Sequence, residues 1–286
     1  MKKFTLILLG ICSISLLHAQ SQVSRPVLAN KIMLTNGQKI IVQNSVSIES
    51  SMSPGMDVTS INTSENTLEV KNTTEKNYTI SNSLTKVKLN MEMMGQTNSY
   101  DSEKKEDQNT EIGKSFAAKL NKPSDVVIDN STGVVLSAKK PEKKTPSDEG
   151  NPMQGLLQMF GETNDDAIVT GAFELIPEGK NPGDSWKDST LEKDTKIWRT
   201  YTLKSYSDSG AVIQLNTVID ATTTIEMQGM SMDLNSNTQT SSEILTDKVT
   251  GLVKKRITTA NVSGSFQVMG QSVPITAKAT TTTTYK

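Results

Sequence analysis

Thr85-Lys86-Val87-Lys88-Leu89-Asn90-Met91-Glu92-Met93 alternates without a break. Val87, Leu89, Met91 and Met93 fall on one side, and Lys86, Lys88, Asn90 and Glu92 on the other. Side chains alternate across a strand but recur every 3.6 residues on a helix, so this period of two predicts a strand with one dry and one wet face. The same alternation runs from Ile213 to Met227 through Leu215, Ile219 and Ile225, opposed by Gln214, Asn216, Asp220 and Glu226. After Gln228-Gly229 the phase flips to Met230, Met232 and Leu234, as a hairpin turning at the glycine requires. Further hairpin turns are expected at Asn36-Gly37, Asn130 to Gly133, Asp208 to Gly210, Thr250-Gly251 and Gly270-Gln271. The threonine run Thr280 to Thr284 suits a half-buried pleat and reads as a final strand.

Two segments carry helical spacing instead. Thr110 can cap a helix bearing Ile112, Phe116, Ala117 and Leu120, and Pro152 can start a second in which Met153, Leu156, Leu157 and Phe160 form one apolar stripe. Between them, residues 141–152 are rich in Lys, Glu, Pro and Gly and read as an exposed loop. The expected fold is therefore β-dominated α+β: a large twisted antiparallel sheet, or a half-barrel, with two short helices packed on one face. Residues 20–286 read as one β-rich domain, with a division into two near residue 145 as the alternative.

Lys2 and Lys3, the apolar run Phe4 to Leu17 and the small residue Ala19 follow the order of a secretory signal peptide, here residues 1–19. A lipoprotein-type cleavage at Cys12 fits less well, because Ile11 is bulky and Cys12 lies inside the apolar run. No stretch reaches the ~20 apolar residues of a membrane span. The expectation is export, to the periplasm, the outer envelope or the medium. Cleavage after Ala19 would remove both Cys12 and His18, the chain's one cysteine and one histidine. The remainder could then hold no disulfide, no Ser-His-Asp or Cys-His system, and no imidazole or thiolate metal site. A net charge of −1 gives no footprint for nucleic acid. Aromatics at 4% argue against base-stacking platforms and, by the same shortage of flat apolar faces, against sugar-binding clefts.

Candidate sites are few. Met91 and Met93, with Met230 and Met232, lie at strand ends and, with Leu156, Leu157 and Phe160 of the second helix, are the candidate lining of an apolar ligand groove. Thioethers suit such a groove, an ordinary core, and, less readily, Cu(I). The carboxylates Asp165, Asp166, Glu174, Glu178, Asp184, Asp101 and Glu103 have no recognised ligand spacing and read as solvated turn residues; Asp129 to Gly133 reads as an Asx turn. Pro182, Gly183, Asp184 and Trp186 form a structural motif, a turn with an acceptor and an aromatic anchor. No cofactor and no metal are expected.

Tyr100-Asp101-Ser102, the strand-turn-strand Val126 to Leu136, Phe173-Glu174-Leu175-Ile176-Pro177, Pro182-Gly183-Asp184-Ser185-Trp186, Thr250-Gly251 and Val262-Ser263-Gly264 occur in an order that resembles an uncharacterised family of secreted bacterial proteins, domain of unknown function 6263. The resemblance implies an envelope location and a β-rich fold, and no activity. The layout also looks like the curved half-barrels of lipoprotein carriers, an architectural analogy. The expected function is non-enzymatic binding of a lipid or other apolar ligand, or of an envelope protein, through a curved sheet. The alternatives are a hydrolase using paired carboxylates and a structural surface component.

Overall fold

The computed structural model describes residues 28–52, 56–93, 95–117, 119–138, 165–192, 194–227, 230–268 and 271–286. Among these, twelve strands form one antiparallel sheet. They are β1 (Lys39–Met52), β2 (Met56–Thr73), β3 (Asn77–Met93), β4 (Gln96–Asp101), β5 (Ser124–Asp129), β6 (Val135–Ala138), β7 (Ser185–Leu191), β8 (Thr195–Ser207), β9 (Gly210–Met227), β10 (Met230–Thr246), β11 (Val253–Val268) and β12 (Gln271–Tyr285). Their order is β6-β5-β3-β2-β1-β12-β11-β10-β9-β8-β7, with β4 beside the far half of β3. Two meanders, β1–β6 and β7–β12, thus meet at a β1–β12 seam, where Val42 lies opposite Tyr285. Two short helices, α1 (Glu111–Ala117) and α2 (Asp165–Thr170), lie on one face. No helix among the described residues is long and apolar enough to cross a membrane.

The alternation read from the sequence sets the faces. Met227 pairs with Met230 and Ile225 with Met232, which is the phase flip expected at Gln228-Gly229. In β3, Tyr78 and Ile80 precede Val87, Leu89 and Met91 in the opposite phase. A bulge at Thr85 absorbs the change, so that Leu84 opposite Asn66 and Val87 opposite Ser64 share the inner face. Register shifts also skip Lys71, Leu136, Lys204 and Lys254. Bulges bend the bulged strand and increase its twist, and four of these five lie toward the end of the sheet where β1 begins.

That end is rolled around a plug. The adjacent amides of Ile32 and Met33 donate to Asn130 O (2.9 Å) and Thr250 O (3.2 Å). One residue spans under 4 Å, so the two carbonyls lie within ~10 Å of each other. They belong to the turns after β5 and before β11, five strands apart, or roughly 24 Å in a flat sheet. Across the inner face, α2 packs on β3, β5 and β6, while Glu174, four residues after the helix, is within electrostatic range of Asp188 on β7. In a flat sheet those edges would be roughly 48 Å apart. The sheet is therefore a rolled, unclosed half-barrel whose free edges are β6 and β4 on one side and β7 on the other.

The two turns that clasp residues 32–33 are twins. Asp129-Asn130-Ser131-Thr132-Gly133 and Asp247-Lys248-Val249-Thr250-Gly251 share an Asp, a Thr and a left-handed Gly at the same spacing (φ 72° and 73°). In each, the Asp Oδ1 accepts from the next two free amides and from the Thr hydroxyl, at 2.8 to 3.1 Å. These bonds hold both carboxyls down at about 2, the Ser131 and Thr132 hydroxyls leading at Asp129 and the Thr250 amide at Asp247. The core under the clasp joins Ile32, Ile40, Val42, Leu68, Ile80 and Ile128 to Ile168, Val169, Phe173 and Ile176 of the plug and to Leu203, Ile213 and Ile244 opposite.

Several expectations are corrected or relocated. Asn36-Gly37 turns the chain into β1 and links no pair of strands, since its amide bonds go to Val70 O and its own loop. The helix expected from Pro152, and the loop at 141–152, lie outside the described residues. Helix α2 forms at Asp165–Thr170, where Asp165 and Asp166 are expected as solvated turn residues; Ile168, Val169 and Thr170 are β-branched and disfavour helix, and burial overrides that preference.

Candidate functional site

Thr110 Oγ1 accepts from the Gly113 amide at 3.0 Å and caps α1 as its sequence position foretold. Gly113 is required there, because a Cβ would strike the Asp107 and Gln108 carbonyls of the preceding turn. Docked this closely, α1 lays Ile112 and Phe116 on Val58, Val87, Leu89, Met91 and Tyr100. The Phe116 and Tyr100 rings stack at 5.3 Å. Met91 is 3% exposed, and Met93 is half-buried at the cluster's margin. Met230 and Met232 lie on β10, five strands from β3; Leu156, Leu157 and Phe160 lie outside the described residues.

From Met91 a single row of inner-face residues crosses the sheet by register: Met91, Ser60, Ile48, Ala279, Ala260, Thr240, Thr217, Arg199 and Asp188. In the rows on either side, the same central strands present Ala277, Val262 and Thr238, and Thr281, Thr258 and Ser242. The middle of the inner face is thus a floor of alanines, threonines, serine and one valine, mostly half-buried, between the cluster under α1 and the charged residues of β7 and β8. Neither core cluster includes these residues, although Ile48, Ser60, Thr217 and Ser242 in the same rows are buried.

Beside this floor lie two ion pairs that sequence reasoning missed, a largely buried one at Glu174 and an exposed one at Asp188. Arg256 Nη2 donates to Glu174 Oε2 at 3.0 Å. Arg199 Nη1 donates to Asp188 Oδ1 at 2.9 Å and to Thr190 Oγ1 at 3.2 Å, and Tyr201 Oη donates to Asp188 Oδ2 at 3.2 Å. Burial pushes the Glu174 carboxyl up to about 6 against the pull of Arg256. Burial likewise raises the Tyr201 phenol, and lifts Tyr285 to about 12. Glu174 is therefore a buried ion-pair member, not the solvated turn residue expected of it. Its partner lies 82 positions away, a separation that no local pattern announces.

Each carboxylate here is bound by its own guanidinium; the Glu174–Arg256 pair ties the plug to β11, and the Asp188–Arg199 pair links β7 to β8. No group of three His, Cys, Asp or Glu side chains gathers into a metal-holding cluster among the described residues. The Pro182 to Trp186 motif lies at the start of β7. Asp184 Oδ2 accepts from the Asn181 amide at 2.8 Å, Gly183 takes φ 96°, and Trp186 stacks on Tyr201 at 5.3 Å and 1°.

Residues 75–253 match the model of a family of unknown function, DUF6263. No curated protein matches the chain. Among solved structures it aligns with OccK5 (OpdH) of Pseudomonas aeruginosa at 7% identity, over 89% of this chain and 99% of that one, with a TM-score of 0.27. It also aligns with an outer membrane channel of Pseudomonas putida F1 at 8% identity, over 89% and 97%, with a TM-score of 0.22. At those scores neither alignment bears on fold or function.

Proposed function

The chain belongs to the DUF6263 family, and from that premise we propose that it is an exported, non-enzymatic envelope protein that binds an elongated apolar ligand, such as a lipid acyl chain, along the inner face of its rolled sheet. The observation that carries this reading is the small-residue floor. A rolled sheet that merely sealed its core would fill this space with Leu, Ile and Phe, as the plugged end does. Over β12 to β9 it presents Ala279, Ala260 and Thr240 instead, with Met91 and Ile48 at one end and Ile219 and Ile197 beside the other. The charge-apolar-small order of residues 1–19 supports export. The absence of histidine and cysteine after Ala19, and the pairing of Glu174 and Asp188 with arginines, support binding over hydrolysis.

Native mass spectrometry of protein purified from the envelope tests the reading, together with uptake of a fluorescent palmitate. A co-purified lipid mass is expected, and it should disappear in Ala260→Trp and Ala279→Trp, which fill the floor without touching the plug. Wild-type protein that carries no adduct and takes up no palmitate would refute it.

A further inference from the structure

The outer face of the same sheet carries a second feature that the inner floor does not explain. Trp198 is 41% exposed on β8, inside the sheet and not at its edge, with Val218 of β9 as its direct cross-strand partner. One strand position further on, the same face carries the row Lys196, Asp220, Asn237 and Ser263. That row lines an open surface concavity together with Asp194, Thr222 and Asn235. Its polar groups are held in place: Asn237 Nδ2 donates to Asp220 Oδ1 at 2.6 Å, and Thr222 Oγ1 to Asn235 Oδ1 at 2.9 Å. The turn before β8 closes one side, through the Thr222 amide donating to Asp194 O at 2.9 Å.

We propose that Trp198 and this concavity form a glycan-binding site for an uncharged or amino-sugar polysaccharide strand. A sugar ring presents a flat C–H face and a rim of hydroxyls that both donate and accept. The indole supplies the flat apolar partner. The adjoining amides, hydroxyls and carboxylates supply paired donors and acceptors about one strand position away, ~6.8 Å. The charges of Asp194, Asp220 and Lys196 sum to −1, which disfavours phosphate-bearing lipids, nucleic acids and acidic glycans. The lining itself offers no large apolar side chain, and Trp198 stands beside it, which disfavours an acyl chain. The shortage of aromatics in the sequence argues against a sugar-binding cleft; for an open surface site one exposed tryptophan suffices.

The test uses the full chain and hexasaccharides of β-1,4-linked N-acetylglucosamine, β-1,4-glucan and xylan, followed by tryptophan fluorescence and by isothermal titration. At least one hexasaccharide should bind, largely independent of salt. Trp198→Ala should weaken it at least tenfold and Asp220→Ala several-fold, with unchanged melting temperature. Ala260→Trp should leave it intact, so the site is distinguishable from the inner floor. Binding of none of the three, equal binding by Trp198→Ala, or a preference for phosphatidylglycerol vesicles that Trp198→Ala abolishes would overturn the proposal.

Discussion

Replacing Phe173 by alanine tests whether the plug holds the roll. Phe173 is 6% exposed, packs in the large core and forms an isolated antiparallel bridge with Leu252, and its neighbour Glu174 pairs with Arg256. Truncating a buried phenylalanine costs about 3–5 kcal/mol, through lost transfer free energy and the cavity left behind. For a chain of this size each kcal/mol lowers Tm by roughly 2–4 °C, so a fall of about 6–20 °C is expected by calorimetry. Phe266→Ala is the control, because Phe266 is equally buried but lies on β11 far from the plug. Both variants should lose comparable stability. Only Phe173→Ala should accelerate amide exchange at the β5–β6 and β10–β11 turns together, since residues 28–34 and the plug tie those turns to each other. If exchange quickened only within residues 165–177, the roll would be an intrinsic property of the bulged strands, and the plug argument would fail.

Trp186→Ala should cost about 2–3 kcal/mol by removing the stack on Tyr201, and Asp184→Ala about 1 kcal/mol through the lost bond to the Asn181 amide; chemical denaturation measures both. Gly210→Ala should destabilise by about 1–3 kcal/mol, because φ is 139° and a Cβ would meet the Thr246 carbonyl. Gly210→Asn should fare no better, since that angle lies well beyond the left-handed helical region that asparagine tolerates. Glu174 has a raised folded-state pKa, so the folded state binds the proton more tightly and its stabilising contribution fades as pH climbs from 4.5 to about 6. Asp129 and Asp247 are depressed, so their contribution fades as pH falls from 3.8 to about 2. Melting curves of Glu174→Gln against pH should lose the first dependence and keep the second.

The strands were legible because one face of the sheet is wet. Val87 to Met93 and Ile213 to Ile219 alternate cleanly, and each side chain's face follows from its parity. The Thr85 bulge was not legible: the phases of Tyr78-Ile80 and Val87-Leu89 disagree, and only pairing with Asn66 and Ser64 shows that both sets share a face. Helix α1 was announced by Thr110 and by the spacing of Ile112 and Phe116. Helix α2 has six residues, three of them β-branched, and exists because the core needs Ile168 and Val169. The ion pairs of Arg256 and Arg199 join residues that are distant in sequence or sit on a single hairpin, and charge alternation on a strand looks the same whether the charges face water or the core.

A chain only 34% apolar, with no cysteine after Cys12, can hold a sheet of this width because its apolar residues are concentrated and not spread. The outer face needs none. On the inner face, rolling brings both meanders onto one short plug, so that this one segment serves strands that would otherwise need a covering layer along their full length. The twin Asp-x-x-Thr-Gly turns, one from each meander, then fasten the roll over residues 32–33. The same economy leaves the middle of the inner face outside both core clusters, with Ile48 and Ala279 paired across the β1–β12 seam. Small side chains are what a tightly curved inner surface admits, and they are also what leaves room for a guest. The floor and the clasp are thus consequences of one geometry: a sheet rolled at one end by bulges and a plug, and open beyond it.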